Sequence, residues 1–251
     1  MKLKELLLLM QNAAKEANSS KPLLCGGIAR DRYMGRLENI SDLDVTTGDK
    51  TVSALSEKFA EILNRKYNLE RKIMDDGHST IFIGNIKIDF SSNFNVPGID
   101  QILKNMGIEK ATDLQKEMFS RDFTCNALLL DFNLRNIIDE TKRGMADIKD
   151  KKIKTCLSPE ITLTTNKNRI VRSIYLSSKL GFDIDESIIN FIKRNPNILG
   201  KTTTKKSMID KLNDAFKKDG ERASYNLTKM ELWRKVPITE NMKPYYLKYV
   251  K

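Results

Sequence analysis

Groups that build covalent or metal scaffolds are scarce in this sequence. Its 251 residues include one His and three Cys, at positions 25, 125 and 156. An odd, scattered set of cysteines argues against a disulfide framework and for a reducing compartment, the cytoplasm. A single His without a paired-Cys motif argues against a structural zinc site. Long hydrophobic runs are missing as well. The longest candidate, Leu6 to Met10, falls far short of the ~20 residues of a membrane-spanning helix and has no small-residue cleavage site behind it. What is present is an ordinary globular balance, 40% hydrophobic and 31% charged, long enough for one large domain or two modest ones.

Charge is plentiful and uneven. Lys and Arg number 44 against 33 Asp and Glu, a net charge of +11. Residues 1–135 hold 19 of each sign, whereas residues 136–251 hold 25 basic and 14 acidic side chains. A neutral half joined to a basic half points to a polyanion surface beside something else, or to a Lys-rich solvated helical face.

The periodicities divide at about the same place. A helix is predicted over Lys2–Ala17, then a strand at Pro22–Cys25 running into Gly26–Gly27, a short helix at Ile28–Met34 stopped by Gly35, and a strand around Leu43–Thr46. Thr51–Lys66 reads as helix. Leu69–Ile73, Thr80–Ile83 and Ile86–Phe90 read as strands, the last two joined by a Gly84–Asn85 hairpin turn. Segments 126–132 and 137–138 would complete a small sheet. Beyond Pro159 the pattern is helical, at 166–180, 185–194, 205–217, 219–232 and 240–249. The expected fold is α+β, with a mixed α/β domain over residues 1–150 and a basic helical domain over 151–251.

Asp42-Leu43-Asp44 is the first chemical feature. Residues i and i+2 of a strand share a face, so these carboxylates could share divalent cations. A lone Asp-x-Asp also occurs by chance as two exposed loop acids. Asp89 lies in an alternating strand whose Ile86, Ile88 and Phe90 would face the core, leaving Asp89 and Lys87 on the other side. If that strand neighbours the Asp42 strand, three carboxylates converge as two-metal nucleotidyl transfer requires. Otherwise Asp89 is a polar residue on an edge strand. Gly26–Gly27, between a strand and a helix, would let backbone N–H groups approach phosphate oxygens, with Arg30 one turn in. Its plainer meaning is a tight strand–helix turn.

Together the pattern Gly26-Gly27-x-x-Arg30-Asp31-x-x-x-Gly35 and Asp42-x-Asp44-x-x-Thr47 resembles the nucleotidyltransferase motif of bacterial-type (class II) CCA-adding enzymes and poly(A) polymerases. The resemblance continues through Gly77-His78-Ser79-Thr80, Asp89, Arg121-Asp122-Phe123-Thr124-Cys125-Asn126-Ala127, Ile138-Asp139, Gly144 and Asp147-Ile148. It extends into Arg169-Ile170-Val171-Arg172-Ser173, Lys179-Leu180-Gly181-Phe182 and the stretch ending in Leu232-Trp233. It implies a polymerase-beta-like head followed by a helical neck. It also implies Mg2+ held by Asp42 and Asp44 with Asp89 as third carboxylate, and ATP, with CTP as a further substrate. Gly26, Gly27 and Arg30 would hold the triphosphate, and Arg121, Asp122 and Asn126 would contact the nucleotide and brace the site. Asn166, Arg169 and Arg172 would stand in the nucleotide-binding part of the neck. His78 reads as a polar strand-end residue and Lys87 as a solvated neighbour.

Three departures bear on function. Where the family has Glu-Asp-x-x-Arg to read the base, this chain has Thr165-Asn166-Lys167-Asn168-Arg169, so alternation between CTP and ATP does not follow; Asn166 would equally serve as a helix cap. No Arg follows Asp89 in Phe90-Ser91-Ser92-Asn93-Phe94. The family also has helical body and tail domains that grip tRNA, whereas this chain runs only to residue 251. A protein partner or an oligomer would then supply that grip. Tyr245, Tyr246 and Tyr249 with Lys243, Lys248 and Lys251 would either stack on nucleotides or pack a helix. The expected function is template-independent addition of nucleotides to an RNA 3′ end, tRNA CCA addition or repair, or alternatively A-tailing. A non-catalytic RNA-binding module on the same scaffold is the reading of another class.

Overall fold

The computed structural model describes residues 3–37, 40–65, 67, 69–75, 78–92, 95–200 and 206–250. Gly77, Asn93, Phe94 and Lys251, together with the ends Lys2, Lys66 and Lys205 of the helices expected from periodicity, lie outside the described residues. The chain forms two compact units. One comprises Met1–Arg121 with Cys125–Met145, the other Asp122–Thr124 with Ala146–Lys251.

The first unit runs α1 (Leu3–Glu16), β1 (Leu23–Cys25), α2 (Gly27–Tyr33), β2 (Asp42–Thr46), α3 (Val52–Asn64), β3 (Glu70–Ile73), β4 (Ser79–Ile83), β5 (Ile86–Phe90), α4 (Ile99–Asn105), α5 (Asp113–Ser120), β6 (Leu129–Leu130) and β7 (Ile137–Ile138). Helix α6 (Gly144–Lys149) carries the chain into the second unit. Seven strands form one mixed sheet in the order β3-β4-β5-β2-β1-β6-β7. β2 and β5 pair in parallel and every other neighbour is antiparallel. The hairpin turn at Gly84–Asn85 forms as expected, with Gly84 at φ +58°, a backbone that costs glycine little.

Alternation along the strands decides which side each residue serves. In β2, Leu43 and Val45 are fully buried; in β5, Ile88 and Phe90 are. Val45 is in register with Phe90, and the Phe90 ring packs on Phe59 of α3 with centroids 5.8 Å apart. Helix α3 lies against β4 and β5 and packs on α1, which buries Leu6, Leu7, Met10, Ala13 and Ala14, the stripe its period predicts. On the opposite face, α5 covers β1 and β6, where Leu23, Cys25, Met118 and Leu129 form a cluster. Asp42, Asp44, Lys87 and Asp89 share that second face by parity.

Helices α4 and α5 were not expected from periodicity. The available sign is the capping box at Thr112 and Gln115, which hold each other's backbone N–H groups.

The second unit contains β8 (Lys152–Ile153), α7 (Pro159–Thr165), α8 (Asn168–Leu180), β9 (Asp183–Ile184), α9 (Glu186–Arg194), α10 (Lys206–Lys229) and α11 (Lys243–Tyr249). Helices α8 and α10 form its core, with Ile170, Ile174, Leu212, Ala215, Ala223 and Leu227 all buried. The parallel β8–β9 pair departs from an all-helical expectation, because two-residue strands leave no period to detect. The two helices expected at 205–217 and 219–232 meet within α10, where Asp219 (φ −158°, ψ 94°) leaves the helical backbone between them. Asp219 caps the second half, accepting the Arg222 N–H at 3.0 Å. Among the described residues no helix is long and apolar enough to cross a membrane.

Candidate active site

The parallel pairing of β2 with β5 sets Asp44 in register with Asp89 and Asp42 with Lys87. All four side chains point away from the α3 side, forming a square of three carboxylates and one ammonium. Asp89 does not lie on an edge strand, since β5 is flanked by β4 and β2. Asp89 accepts a hydrogen bond from the Thr80 hydroxyl at 2.6 Å through Oδ1, and its Oδ2 is ion-paired with Lys87. Lys87 also reaches Asp42 Oδ1 at 3.7 Å. It is therefore the partly solvated neighbour expected from sequence and also a bridge between two carboxylates. Its ammonium is held above the ordinary lysine value: burial works downward, but the hydrogen bond to Asp89 and the charges of Asp89, Asp42 and Asp44 outweigh it.

Strand β1 delivers the glycine turn to the same face. Cys25 is in register with Asp44, so Gly26 emerges beside the Asp44 carboxylate. Gly26 has φ +74° and ψ −132°, a backbone that L side chains rarely adopt. A methyl group on it would lie 2.8 Å from Asp44 Oδ2 and 3.8 Å from Arg121 Nη1. Arg121 and Asp44 thus both lie against the bare face of this glycine. Arg121 Nη2 donates to Glu117 Oε1 at 2.9 Å and to Cys25 Sγ at 2.8 Å. Glu117, buried, also accepts from Thr46 Oγ1 at 2.6 Å, and Thr46 in turn contacts Ser92 Oγ at 2.7 Å. A buried carboxylate on α5 thereby ties Arg121 to the end of β2. Sequence reasoning missed Glu117; the signal was its i, i+4 spacing from Arg121. Burial pushes the Cys25 thiol up to about 12 despite the neighbouring Arg121, so it remains a neutral packing group.

Arg30 and Asn126, both assigned to nucleotide contact from sequence, are brought together with each other. Arg30 is buried, donates to Asn126 Oδ1 at 2.6 Å and is ion-paired with Asp31 at 2.8 Å. The pair braces α2 and the glycine turn against the segment after Arg121. His78 lies at the start of β4 with Nε2 2.9 Å from the Ser92 carbonyl, a strand-end position as expected.

The donor set suits a hard divalent cation such as Mg2+, with two carboxylates on one strand face, a third in register and no soft ligand in the row. Among the described residues no three His, Cys, Asp or Glu side chains already converge on a single ion position; Asp89 spends its oxygens on Thr80 and Lys87. Asp42 and Asp44 are the pair whose chemistry fits the ion. Asp42 is well exposed, and the missing Cβ of Gly26 leaves room at Asp44.

The second unit holds the remaining sequence-assigned residues. Asp122 is ion-paired with Arg172 at 2.5 Å, and its Oδ1 accepts the Phe123 N–H at 2.8 Å. Asn166 stands between α7 and α8 and accepts the Asn168 N–H at 3.1 Å, the capping role open to it from sequence. Arg169 donates to the Thr162 carbonyl at 3.3 Å. The C-terminal tyrosines pack within this unit: Tyr245 lies on Phe216 with centroids 5.4 Å apart, Tyr246 meets Trp233 edge-on at 5.6 Å, and the Tyr249 hydroxyl donates to Glu221 at 2.8 Å.

Residues 23–154 match the profile of the poly A polymerase head domain. The CCA-adding enzyme of Bacillus pumilus is 24% identical over 88% of this chain and 54% of its own length. The A-adding tRNA nucleotidyltransferase of Aquifex aeolicus is 25% identical over 87% of this chain and 25% of its own. The chain spans about half the length of the curated relatives it matches. The crystal structure of the Bacillus stearothermophilus CCA-adding enzyme in complex with CTP superposes with a TM-score of 0.70 at 20% identity, covering 98% of this chain and 57% of that one. That likeness is one of fold.

Proposed function

The chain belongs to the poly(A) polymerase head-domain family, and on that premise we propose that it is a template-independent nucleotidyltransferase joining nucleotides from ATP or CTP to an RNA 3′ end, the tRNA 3′ terminus foremost. The observation that carries this reading is the register of β2 and β5, which sets Asp44 beside Asp89 with Asp42 on the same face and Gly26 against Asp44. Residues 1–150 would be the catalytic head and 151–251 the RNA- and base-contacting neck.

Asp42 and Asp44 would hold Mg2+, with Asp89 as the third carboxylate. Bound there, the ion supplies charge neutralisation for the triphosphate and a lowered pKa for the attacking 3′-hydroxyl. Gly26 and Gly27 let backbone N–H groups approach the phosphates without a side chain between them. Arg121, fixed by Glu117, offers its outer nitrogen on the Gly26 side as a charge-assisted donor. Arg30 and Asn126 hold the turn in shape. In the second unit, Asn166 and Arg169 are the proposed base-contacting groups, with Asp122 and Arg172 supporting them as an ion pair.

The test is extension of a tRNA lacking its terminal C-C-A, and of an unstructured RNA, with Mg2+ and each of ATP, CTP, GTP and UTP, by the parent protein and by Asp42→Ala and Asp44→Ala. Extension by the parent and a loss of at least about a thousandfold in both variants is expected. No extension by parent or variants alike, with RNA still bound, would leave a binding module on this scaffold. A second reading, addition of A alone, is favoured by Thr165–Asn166 in place of an acidic pair and by the A-adding relative. Termination after C-C-A or open-ended A addition separates the two, and Asn166→Asp should shift the ratio of CTP to ATP incorporation.

A further inference from the structure

Lys87 stands within the carboxylate row, and the geometry around it is specific. It shares a strand face with Asp89 two residues on, and the β2–β5 register places it directly across from Asp42. Carboxylates facing each other on neighbouring strands repel. The facing pair is Asp44 and Asp89; the ammonium lies beside it, in contact with Asp89 and 3.7 Å from Asp42. Asp89 Oδ1 is meanwhile taken by Thr80. Both oxygens of the third carboxylate are thus engaged by the protein itself. A divalent cation held by Asp42 and Asp44 would place two positive charges close to that ammonium, and the two cations repel.

We propose that Lys87 is a tethered counter-ion that a divalent cation must displace before Asp89 can join Asp42 and Asp44. The proposal rests on the metal-binding reading of those two residues and adds a residue that sets how tightly the ion is held. Lysine suits the part. Its charge sits on a flexible four-carbon stem, and 42% of its side chain is exposed, so it can swing into solvent without moving the strands. The carboxylate row keeps a counter-charge in either arrangement, and the head keeps its fold while the cation exchanges. Lys87 thereby makes divalent-ion binding weaker than the same three carboxylates would achieve alone.

The experiment uses Mn2+ as the probe, titrated into the full chain without nucleotide and followed by the electron paramagnetic resonance of free Mn2+. Lys87→Met keeps length and removes charge; Lys87→Arg keeps the charge. Lys87→Met should bind Mn2+ about fivefold tighter, the worth of a partly exposed ion pair, and Lys87→Arg should stay within about twofold of the parent. Amine-selective acylation of Lys87, read by mass spectrometry of its peptide, should rise when Mn2+ is saturating. Equal or weaker binding by Lys87→Met, equally tight binding by Lys87→Arg and Lys87→Met, or unchanged acylation would each overturn the proposal. A parent protein that binds no Mn2+ at all would overturn the metal reading itself, and this inference with it.

Discussion

At Gly26 a hydrogen stands where any other residue would place a carbon into the carboxylate of Asp44. Two independent strains meet there, the positive φ and the 2.8 Å approach to Oδ2. Gly26→Ala should therefore cost about 1–3 kcal/mol of stability, visible as a lowered Tm. It should also depress nucleotide incorporation at temperatures where the variant is still folded. Unchanged incorporation would mean that the turn does not serve the site. The neighbouring carboxylates were legible because Asp-x-Asp and an alternating strand each fix a face without tertiary information. Lys87 and Glu117 were not. Lys87 acquires its partners only through the β2–β5 register, and Glu117 acquires its role by reaching Thr46, 71 positions away.

Among elements, the legible ones have strong periods or strong punctuation: α1, α3, the β4–β5 hairpin, α8 and α9. Those overlooked, α4, α5, α6, α7, β8 and β9, are short, and their apolar residues are too few to show a repeat. Punctuation was still present for two of them, in the Thr112–Gln115 box and in Ser158 capping a helix that opens with Pro159. The kinked α10 shows how one residue can join two periods. Asp219 breaks the helical backbone and re-caps it, and Gly220 beside it gives way to Tyr245 of α11. A methyl group at Gly220 would overlap the Tyr245 ring. Ala is the better helix former by about 1 kcal/mol, yet Gly220→Ala should destabilise the second unit by about 1–3 kcal/mol through that overlap. Near-ultraviolet circular dichroism should register the displaced tyrosine, and a variant more stable than the parent would contradict the packing.

For the molecule as a whole, charge and architecture divide the labour. The neutral stretch 1–135 carries the carboxylate row, and the entire +11 excess lies in residues 136–251. If that basic half binds an RNA acceptor, affinity should fall steeply with salt, by about 20-fold between 50 and 200 mM for three phosphate contacts. Fluorescence anisotropy of labelled RNA across a salt series measures the slope. A flat response would remove RNA as the ligand of this half.

The sequence alone determined the class of the chain, the strands that carry the acids, the glycine turn and the partition of charge, because each rests on local spacing, residue chemistry or simple counting. Tertiary structure alone decided what those acids face. Parallel pairing of β2 with β5 is a contact between segments more than forty residues apart. No local period encodes which lysine will fall between two aspartates, or that the glutamate one turn before Arg121 will be buried and reach Thr46. The scarcity of His and Cys also takes on meaning in that light. The cysteines are buried and unbridged, the histidine sits at a strand end, and the row itself consists of carboxylate oxygens and one ammonium.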